Sequence, residues 1–116
     1  MPEPKTILTL LYGNHPRTRG VKELTTRILK ILKERKEIAV GDLEKEIKID
    51  RVKSPTKFYL PIGKLKGWDL ILTDRKQTGT GKGKRWDIKY VYTPQMFIKH
   101  LQNRLVTACE TELDML

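Results

Sequence analysis

The residues with the clearest chemical potential in this chain are basic, and they are clustered. Five lie between Arg51 and Lys66 and five more between Arg75 and Arg85, and neither stretch contains an acidic residue. Segregated positive charge of this kind favours binding to a polyanion. Lysine outnumbers arginine in both stretches. This balance favours phosphate attraction over the bidentate contacts that arginine makes with guanine.

A glycine-rich segment, Gly79-Thr80-Gly81-Lys82-Gly83-Lys84, lies within the second basic stretch. A phosphate-binding loop of a nucleotide-binding protein follows a strand and opens a helix, whose first turn receives the phosphate. Here the residues that follow, Trp86 to Tyr92, are strand-like. We therefore interpret the segment as the basic tip of a β-hairpin and not as a nucleotide-binding loop.

No pattern of catalytic or metal-binding residues is found. His15 and His100 lie far apart, without cysteine or acidic residues at the spacing of metal ligands. Cys109 falls on the apolar side of the last predicted helix, which predicts a small buried residue. Arrangements of the Ser–His–Asp and Cys–His kinds are missing, and the acidic residues are placed on helix surfaces. The sequence therefore predicts a non-enzyme with no catalytic residue, no metal and no cofactor.

The overall charge agrees with the clusters. The 116 residues include 24 Lys and Arg against 14 Asp and Glu, a net charge of +10 with a pI of about 9.8. For one small domain this favours nucleic acid first and an anionic membrane second. No apolar run approaches the roughly 18 residues of a membrane span, and the N-terminus is a poor signal peptide. A single cysteine fits a reducing compartment, so we expect a cytoplasmic, nucleoid-associated protein.

Two helices are predicted ahead of the first basic stretch. Over 21–36, Leu24, Ile28, Ile31 and Leu32 form one apolar stripe at helical spacing. A short extended segment at 37–40 follows. Asp42 is placed to cap the second helix, which ends near Ile49-Asp50. In the polar linker before 21, Arg17 and Arg19 could reach a phosphate or could simply be solvated.

The third element, from Ser54 to about Lys66, begins at Ser54-Pro55, a pair suited to a helix start. Pro61 interrupts it and Gly63 weakens it. The sequence leaves two alternatives: a helix kinked near Leu60, or a second short helix that begins at Pro61.

A β-hairpin follows over 70–92. Its first strand signal is Leu70-Ile71-Leu72-Thr73, and the polar residues 74–85 are expected to form a long basic loop. In the second strand, Trp86, Ile88, Tyr90 and Tyr92 alternate with Asp87, Lys89 and Val91, which predicts two different faces. Trp68 and Trp86 are interpreted as hydrophobic anchors at the base of the hairpin.

A long helix over 95–116 completes the chain. Its apolar residues repeat at spacings of 3 and 4, which is typical of a coiled-coil seam with one acidic interruption at Glu112. At 1.5 Å per residue the helix would extend about 30 Å. It is either a dimerisation helix or a helix that folds back over the core. The predicted dimer contacts are Ile98, Leu101, Leu105, Ala108 and Met115.

The order of these elements, with the passage Lys64-Leu65-Lys66-Gly67-Trp68-Asp69-Leu70-Ile71, resembles the winged-helix (winged helix-turn-helix) superfamily of DNA-binding proteins. Among them it is most similar to small archaeal Lrs14-like and PadR/MarR-like regulators. The resemblance covers about residues 21–116. It implies an α+β fold in which a three-helix core carries a β-hairpin wing and a long C-terminal helix. The Lys-, Ile- and Glu-rich composition suggests a thermophilic archaeon.

These observations predict an N-terminal extension at 1–20, a winged-helix DNA-binding domain at 21–94 and a C-terminal dimerisation helix at 95–116. The third helix would enter the major groove of double-stranded DNA, and the wing would contact the minor groove or the backbone. The predicted DNA-binding residues are Lys53, Ser54, Thr56, Lys57, Tyr59, Lys64, Arg75, Lys76, Lys82, Lys84 and Arg85. The expected partners are double-stranded DNA and a second copy of the chain, with no membrane and no metal.

The expected function is a dimeric transcriptional regulator. Two alternatives remain open from the sequence. A non-specific architectural or chromatin protein would suit the lysine-rich surface. A winged helix that binds another protein in the transcription or replication machinery is the second.

Overall fold

The computed structural model describes residues 4–78 and 85–116. Their fold is α+β, with five α-helices and a three-stranded antiparallel sheet. In chain order the elements are α1 (Lys5–Tyr12), a 3-10 turn (Pro16–Thr18), α2 (Arg19–Arg35), β1 (Glu37–Ala39), α3 (Val40–Ile47), α4 (Pro55–Gly67), β2 (Ile71–Thr78), β3 (Arg85–Tyr92) and α5 (Pro94–Asp114).

Helix α2 lies at the centre of the core. Its apolar stripe is as predicted, since Leu24, Ile28 and Leu32 are buried and Ile31 is partly buried. It contacts α1, α3 and α4. Burial of one face of a helix supplies most of its stability in a protein, so α2 is the support on which α3 and α4 pack.

Helix α1 contributes more to the core than an N-terminal extension implies. Leu8 and Leu11 are buried, and the Tyr12 hydroxyl lies 2.7 Å from the Thr25 hydroxyl on α2. Burial raises the pKa of Tyr12, and the hydrogen bond to Thr25 opposes this rise. The segment 5–12 is short and apolar, and its periodicity alone does not distinguish strand from helix.

The start of α3 differs from the prediction. The helix begins at Val40 with Ala39 in the N-cap position, and no side chain caps it. Asp42 is therefore in the first turn, where its carboxylate still interacts favourably with the helix dipole. Lys48 ends α3 in the left-handed region, with φ of 58°, and its amide donates to the Glu44 carbonyl.

Helix α4 continues through Pro61, so the alternative of a second short helix starting at Pro61 is wrong. A proline removes one backbone donor from a helix and crowds the preceding turn. Here Pro61 is buried beside Phe58 and Ile62. Packing of this buried side against the core offsets the local cost, which the sequence alone does not reveal.

The sheet has the order β1-β3-β2, and the β2–β3 pair forms the predicted hairpin. Tyr90 on β3 lies between Ile38 on β1 and Thr73 on β2. Tyr90 is buried while Asp87 is exposed, in agreement with the predicted alternation along β3. We call the side of the sheet that carries Ile38, Thr73 and Tyr90 its inner face, because it packs against α4.

The strands of the hairpin are longer than predicted, because β2 runs to Thr78 and β3 starts at Arg85. Residues 74–78 were expected in the loop. Their register places Asp74 opposite Lys89 and Lys76 opposite Asp87. Opposite charges facing each other across two strands stabilise a sheet. A polar segment can therefore remain in the ladder, and residues 79–84 of the predicted loop lie outside the described residues.

Helix α5 is anchored to the rest of the fold by its first three turns, and the Arg104 guanidinium lies 4.4 Å from the centre of the Trp68 ring. Phe97 is buried, Leu101 packs against the core, and the Trp68 ring contacts both Phe97 and His100. Trp68 is thus a hydrophobic anchor for α5. From Gln102 to the end of the chain every residue is exposed. This includes Cys109, so the prediction that Cys109 is buried is wrong.

Candidate nucleic-acid interface

Helix α4 buries one side and exposes the other. Phe58, Ile62 and Leu65 face the core, and each is at most 2% exposed. With 3.6 residues per turn, the opposite side carries Thr56, Leu60, Gly63 and Gly67, all exposed. A Cβ added at Gly63 or Gly67 would meet no atom within 4 Å. We call the exposed side that carries Thr56, Leu60, Gly63 and Gly67 the outer ridge of α4. Its last two turns have little side-chain bulk, because Gly63 and Gly67 have no side chains.

The basic residues of α4 lie on two different flanks of this ridge. Lys57 lines a groove between α4, the start of α2 and the end of α3, and Lys64 follows two turns later on the same flank. Tyr59 and Lys66 line the opposite flank, toward the sheet. No acidic residue occurs in α4. Both flanks are therefore suited to an anionic partner.

The turn that leads into α4 is organised by Asp50. Its carboxylate accepts hydrogen bonds from the amides of Val52 (2.7 Å) and Lys53 (3.2 Å). These two amide bonds are the main reason why the pKa of Asp50 is lowered. Lys53 is exposed, and Ser54 is the N-cap of α4, where its side chain makes no capping bond. The Ser54 hydroxyl therefore does not cap α4, and its predicted contact with a DNA phosphate stays a prediction.

Arg51 lies in the same turn and is fixed by Glu44 of α3. The Arg51 Nε lies 3.2 Å from Glu44 Oε1, and the Arg51 amide donates to Glu44 Oε2 at 2.9 Å. One carboxylate thus holds both the backbone and the side chain of Arg51. Within the guanidinium group, this ion pair engages Nε.

The hairpin separates the two basic residues predicted on its first strand. Arg75 lies opposite Ile88 on the inner face, next in that row to Thr73 and Tyr90. Lys76 lies on the outer face, opposite Asp87. Only Arg75 therefore shares a surface with α4. Lys76 belongs to an outer face where basic and acidic residues balance.

Between α4 and the inner face of the sheet lies a cleft of about 240 Å³. It is lined by Val40, Arg51, Tyr59, Ile62, Gly63, Lys66, Thr73, Arg75, Ile88 and Tyr90. Arg51, Lys66, Thr73 and Tyr90 were not among the predicted site residues. The strand alternation could have placed Thr73 and Tyr90 beside Arg75, had the register of the hairpin been known.

The cleft changes the titration of Tyr90. Burial is the main cause that raises its pKa to about 12, and the neighbouring Tyr59 adds to the rise. Arg51 and Arg75 act in the opposite direction, because a cation favours the phenolate. Arg51 and Arg75 line the same cleft as Tyr90, in agreement with their effect on its pKa.

The remaining predicted residues are placed as follows. Thr56 and Lys57 are exposed near the start of α4, Tyr59 is 46% exposed with its ring edge-on to Phe58, and Lys64 is exposed on the third turn. Lys82 and Lys84 lie outside the described residues. Arg85 is the first residue of β3, opposite Thr78.

The predicted dimer residues do not share one exposed strip. Leu101 packs against the core, whereas Ile98 and Leu105 are 49% and 66% exposed. Ala108 and Met115 are exposed on the last turns. Val106 and Leu113 are also more than half exposed. The apolar surface available to a partner is thus wider than the seam read from the heptad spacing.

No protein-family model matches this sequence, and no curated protein is significantly similar to it. Within residues 4–78 and 85–116, no cluster of three or more His, Cys, Asp or Glu side chains is arranged to hold a metal ion. None of the helices in these ranges is both long and apolar enough to cross a membrane.

Proposed function

We propose that this chain is a winged-helix protein that binds double-stranded DNA. In this proposal α3 and α4 form the helix–turn–helix, α4 is the recognition helix and the β2–β3 hairpin is the wing. The observation that carries the proposal is the sorting of charge. Lys57, Lys64 and Lys66 on α4 and Arg75 on the inner face share no surface with the acidic residues of the hairpin, since Asp74 and Asp87 are on the outer face.

The dimensions of α4 suit the major groove. Thirteen residues at 1.5 Å each make a helix about 20 Å long, and a groove about 12 Å wide admits one helix. The slim ridge with Gly63 and Gly67 lets the helix backbone approach the bases, and Thr56 and Tyr59 offer hydroxyls to base edges. Lysines on both flanks would contact the phosphates that border the groove.

A homodimer is the second part of the proposal. The exposed apolar residues of α5, among them Leu105, Val106 and Leu113, would be covered by the α5 helix of a second copy. Two recognition helices held about 34 Å apart would read half-sites one turn apart on one side of the duplex. This arrangement suits a transcriptional regulator associated with the nucleoid.

One observation favours a different partner. Leu60 is 45% exposed at the middle of the outer ridge of α4, and Val52 is 84% exposed in the preceding turn. Apolar residues at these positions would suit a winged helix that docks on another protein. Binding to DNA at low salt separates the two functions, because an apolar docking surface gives no salt-dependent affinity for DNA.

The proposal is tested by measuring affinity for duplex DNA by fluorescence anisotropy over a range of salt concentrations. Replacing Lys82, Lys84 and Arg85 by alanine is expected to weaken binding and to reduce the salt slope by about 2.7, since each phosphate contact contributes about 0.9. Replacing Lys30, Lys33 and Lys99, which are exposed on α2 and α5, removes the same charge and is the control. If the two triple variants weaken DNA binding equally, the proposal that the hairpin contacts DNA as a wing is contradicted.

Specific and non-specific binding are separated in the same assay. A large excess of random-sequence duplex leaves a sequence-specific complex largely intact, because specific sites bind about 10³-fold or more tightly. Complete displacement would identify an architectural DNA-binding protein instead of a sequence-specific regulator.

A further inference from the structure

The cleft between α4 and the inner face of the sheet contains an unused hydrogen-bonding group. Thr73 Oγ1 is buried, and among the described residues it has no hydrogen-bond partner. Leaving a buried hydroxyl unpaired costs about 1–3 kcal/mol. Such groups are uncommon in folded proteins and require an explanation. A ligand that accepts a hydrogen bond from Thr73 would provide one.

Three cations from three parts of the chain surround the same cleft. Arg51 comes from the turn before α4, Lys66 from the end of α4, and Arg75 from β2. Of these three cations, only Arg51 forms an ion pair with another described residue. Its partner is Glu44, which does not line the cleft. Counting Glu44, the site retains two positive charges in excess. Lys66 and Arg75 are exposed beside the cleft, so this excess charge attracts an anion to it.

The size of the cleft limits the anion. Its volume of about 240 Å³ lies below the range of about 300–1,000 Å³ for pockets that hold drug-sized ligands. It corresponds to roughly eight water molecules at about 30 Å³ each. A tetrahedral anion with part of its hydration fits this space, whereas a whole nucleotide does not.

We propose that this cleft is a binding site for a single phosphoryl group, held by Arg51, Lys66 and Arg75 and by the Thr73 hydroxyl. Guanidinium groups present paired N–H donors that match phosphate oxygens. Glu44 orients Arg51 before the ligand arrives. The Thr73 hydroxyl donates to one phosphoryl oxygen, and the Tyr59 hydroxyl at the rim can donate to another.

Two sources can supply this group. The first is a backbone phosphate of DNA, in which case the cleft fixes the duplex between α4 and the wing. The second is a small phosphate ester that occupies the cleft independently of DNA. The phosphoryl site itself does not rest on the proposed function. Only its assignment to a DNA backbone phosphate rests on that function.

The hairpin provides a matched pair of variants for the test. Arg75→Gln and Lys76→Gln each remove one positive charge from neighbouring positions of β2, but only Arg75 faces the cleft. Thr73→Val replaces the unpartnered hydroxyl by a methyl group of the same shape. It is expected to fold, because removing a buried unpaired polar group is neutral or stabilising.

The first experiment is a titration of the full chain with inorganic phosphate at constant ionic strength, followed by amide NMR shifts at Gly63, Thr73 and Ile88. Wild type and Lys76→Gln are expected to show saturable shifts with one Kd. Arg75→Gln and Thr73→Val should raise that Kd by about tenfold, as the loss of one charge-assisted hydrogen bond predicts. No saturable shift in wild type, or equal effects of Arg75→Gln and Lys76→Gln, would overturn the proposal.

The second experiment identifies the source by measuring the affinity of the same variants for duplex DNA. If the group is a backbone phosphate, Arg75→Gln lowers affinity more than Lys76→Gln and reduces the salt slope by about 1. If it belongs to a small phosphate ester, the two variants affect DNA equally while phosphate binding remains selective for Arg75. Phosphate binding without any DNA binding would refute the proposed function and leave the phosphoryl site intact.

Discussion

Substitutions at two adjacent aromatic residues of α4 should have different effects, one mainly on the stability of the fold and the other mainly on DNA affinity. Phe58 is fully buried, whereas Tyr59 is 46% exposed and meets the Phe58 ring edge-on at a centroid distance of 5.0 Å. Replacing Phe58 by alanine leaves a cavity under α4 and should cost about 3–5 kcal/mol of unfolding free energy. Phe58→Leu keeps most of the volume and should cost about 1.5 kcal/mol or less.

Tyr59→Ala should have the opposite profile. It loses part of one aromatic contact, about 0.5–1.5 kcal/mol, and it keeps the core intact. If the Tyr59 hydroxyl or ring contacts DNA, removal of about 1.4 kcal/mol of binding energy lowers affinity about tenfold. Urea denaturation followed by circular dichroism measures the first quantity, and anisotropy with labelled duplex measures the second.

Two results would contradict these roles of Phe58 and Tyr59. A Tyr59→Ala variant that loses more stability than Phe58→Ala would contradict the placement of Phe58 in the core. A Tyr59→Ala variant that binds DNA like wild type would refute a DNA contact by Tyr59. Phe58→Leu is the control for binding. It should retain wild-type affinity at temperatures where it is folded, because Phe58 does not reach the surface.

Three further predictions concern the sheet, the turn at Asp69 and helix α5. Because the pKa of Tyr90 is raised to about 12 from 10.0, its contribution to stability is present below pH 10 and is lost as the pH rises toward 12, by up to about 2 kcal/mol. Tyr90→Phe should lack this part of the alkaline loss in urea denaturation at pH 9 and 11.5. Asp69 has φ of 61° and pairs with His100 at 2.7 Å, so Asp69→Ala should be less stable than Asp69→Gly by about 1 kcal/mol, since alanine resists the left-handed region; equal thermal stabilities would refute this. Leu105→Asp should convert a dimer to a monomer in sedimentation velocity, whereas Asn103→Asp, on another side of α5, should not.

Much of the fold follows from periodicity. The stripe of Leu24, Ile28 and Leu32 predicts α2, and the alternation around Tyr90 predicts both β3 and its buried face. These signals succeed because each element buries one face against the core, so its pattern records its own surroundings. The helix start after Ser54 is similarly local, because Pro55 suits the first position of a helix.

The parts that the sequence did not predict depend on contacts between distant residues. Helix α4 continues through Pro61 because that residue is buried against the core. Strand β2 includes Arg75 and Lys76 because β3 supplies partners across the ladder. Neither fact is encoded in the local pattern, which at both places favours an interruption.

Only part of the candidate site was predicted, because its composition also depends on contacts between distant residues. The basic stretches directed the prediction to α4 and the hairpin, and DNA binding there stays a prediction. They did not separate Arg75 from Lys76, and they gave no sign that Arg51 and Lys66 share a cleft with Thr73. These relations require the register of the hairpin and the rotation of α4 about its axis.

The most direct test of the central claim is amide NMR mapping of a duplex oligonucleotide on the full chain at low salt. Binding through α4 and the wing predicts shifts at the outer ridge of α4, from Thr56 to Gly67, and on β2 near Arg75. The amide signals of the exposed half of α5 and of the outer side of α2 should not shift when one duplex is added per binding site. Shifts that concentrate on α5, or no shifts under these conditions, would contradict DNA binding through this surface.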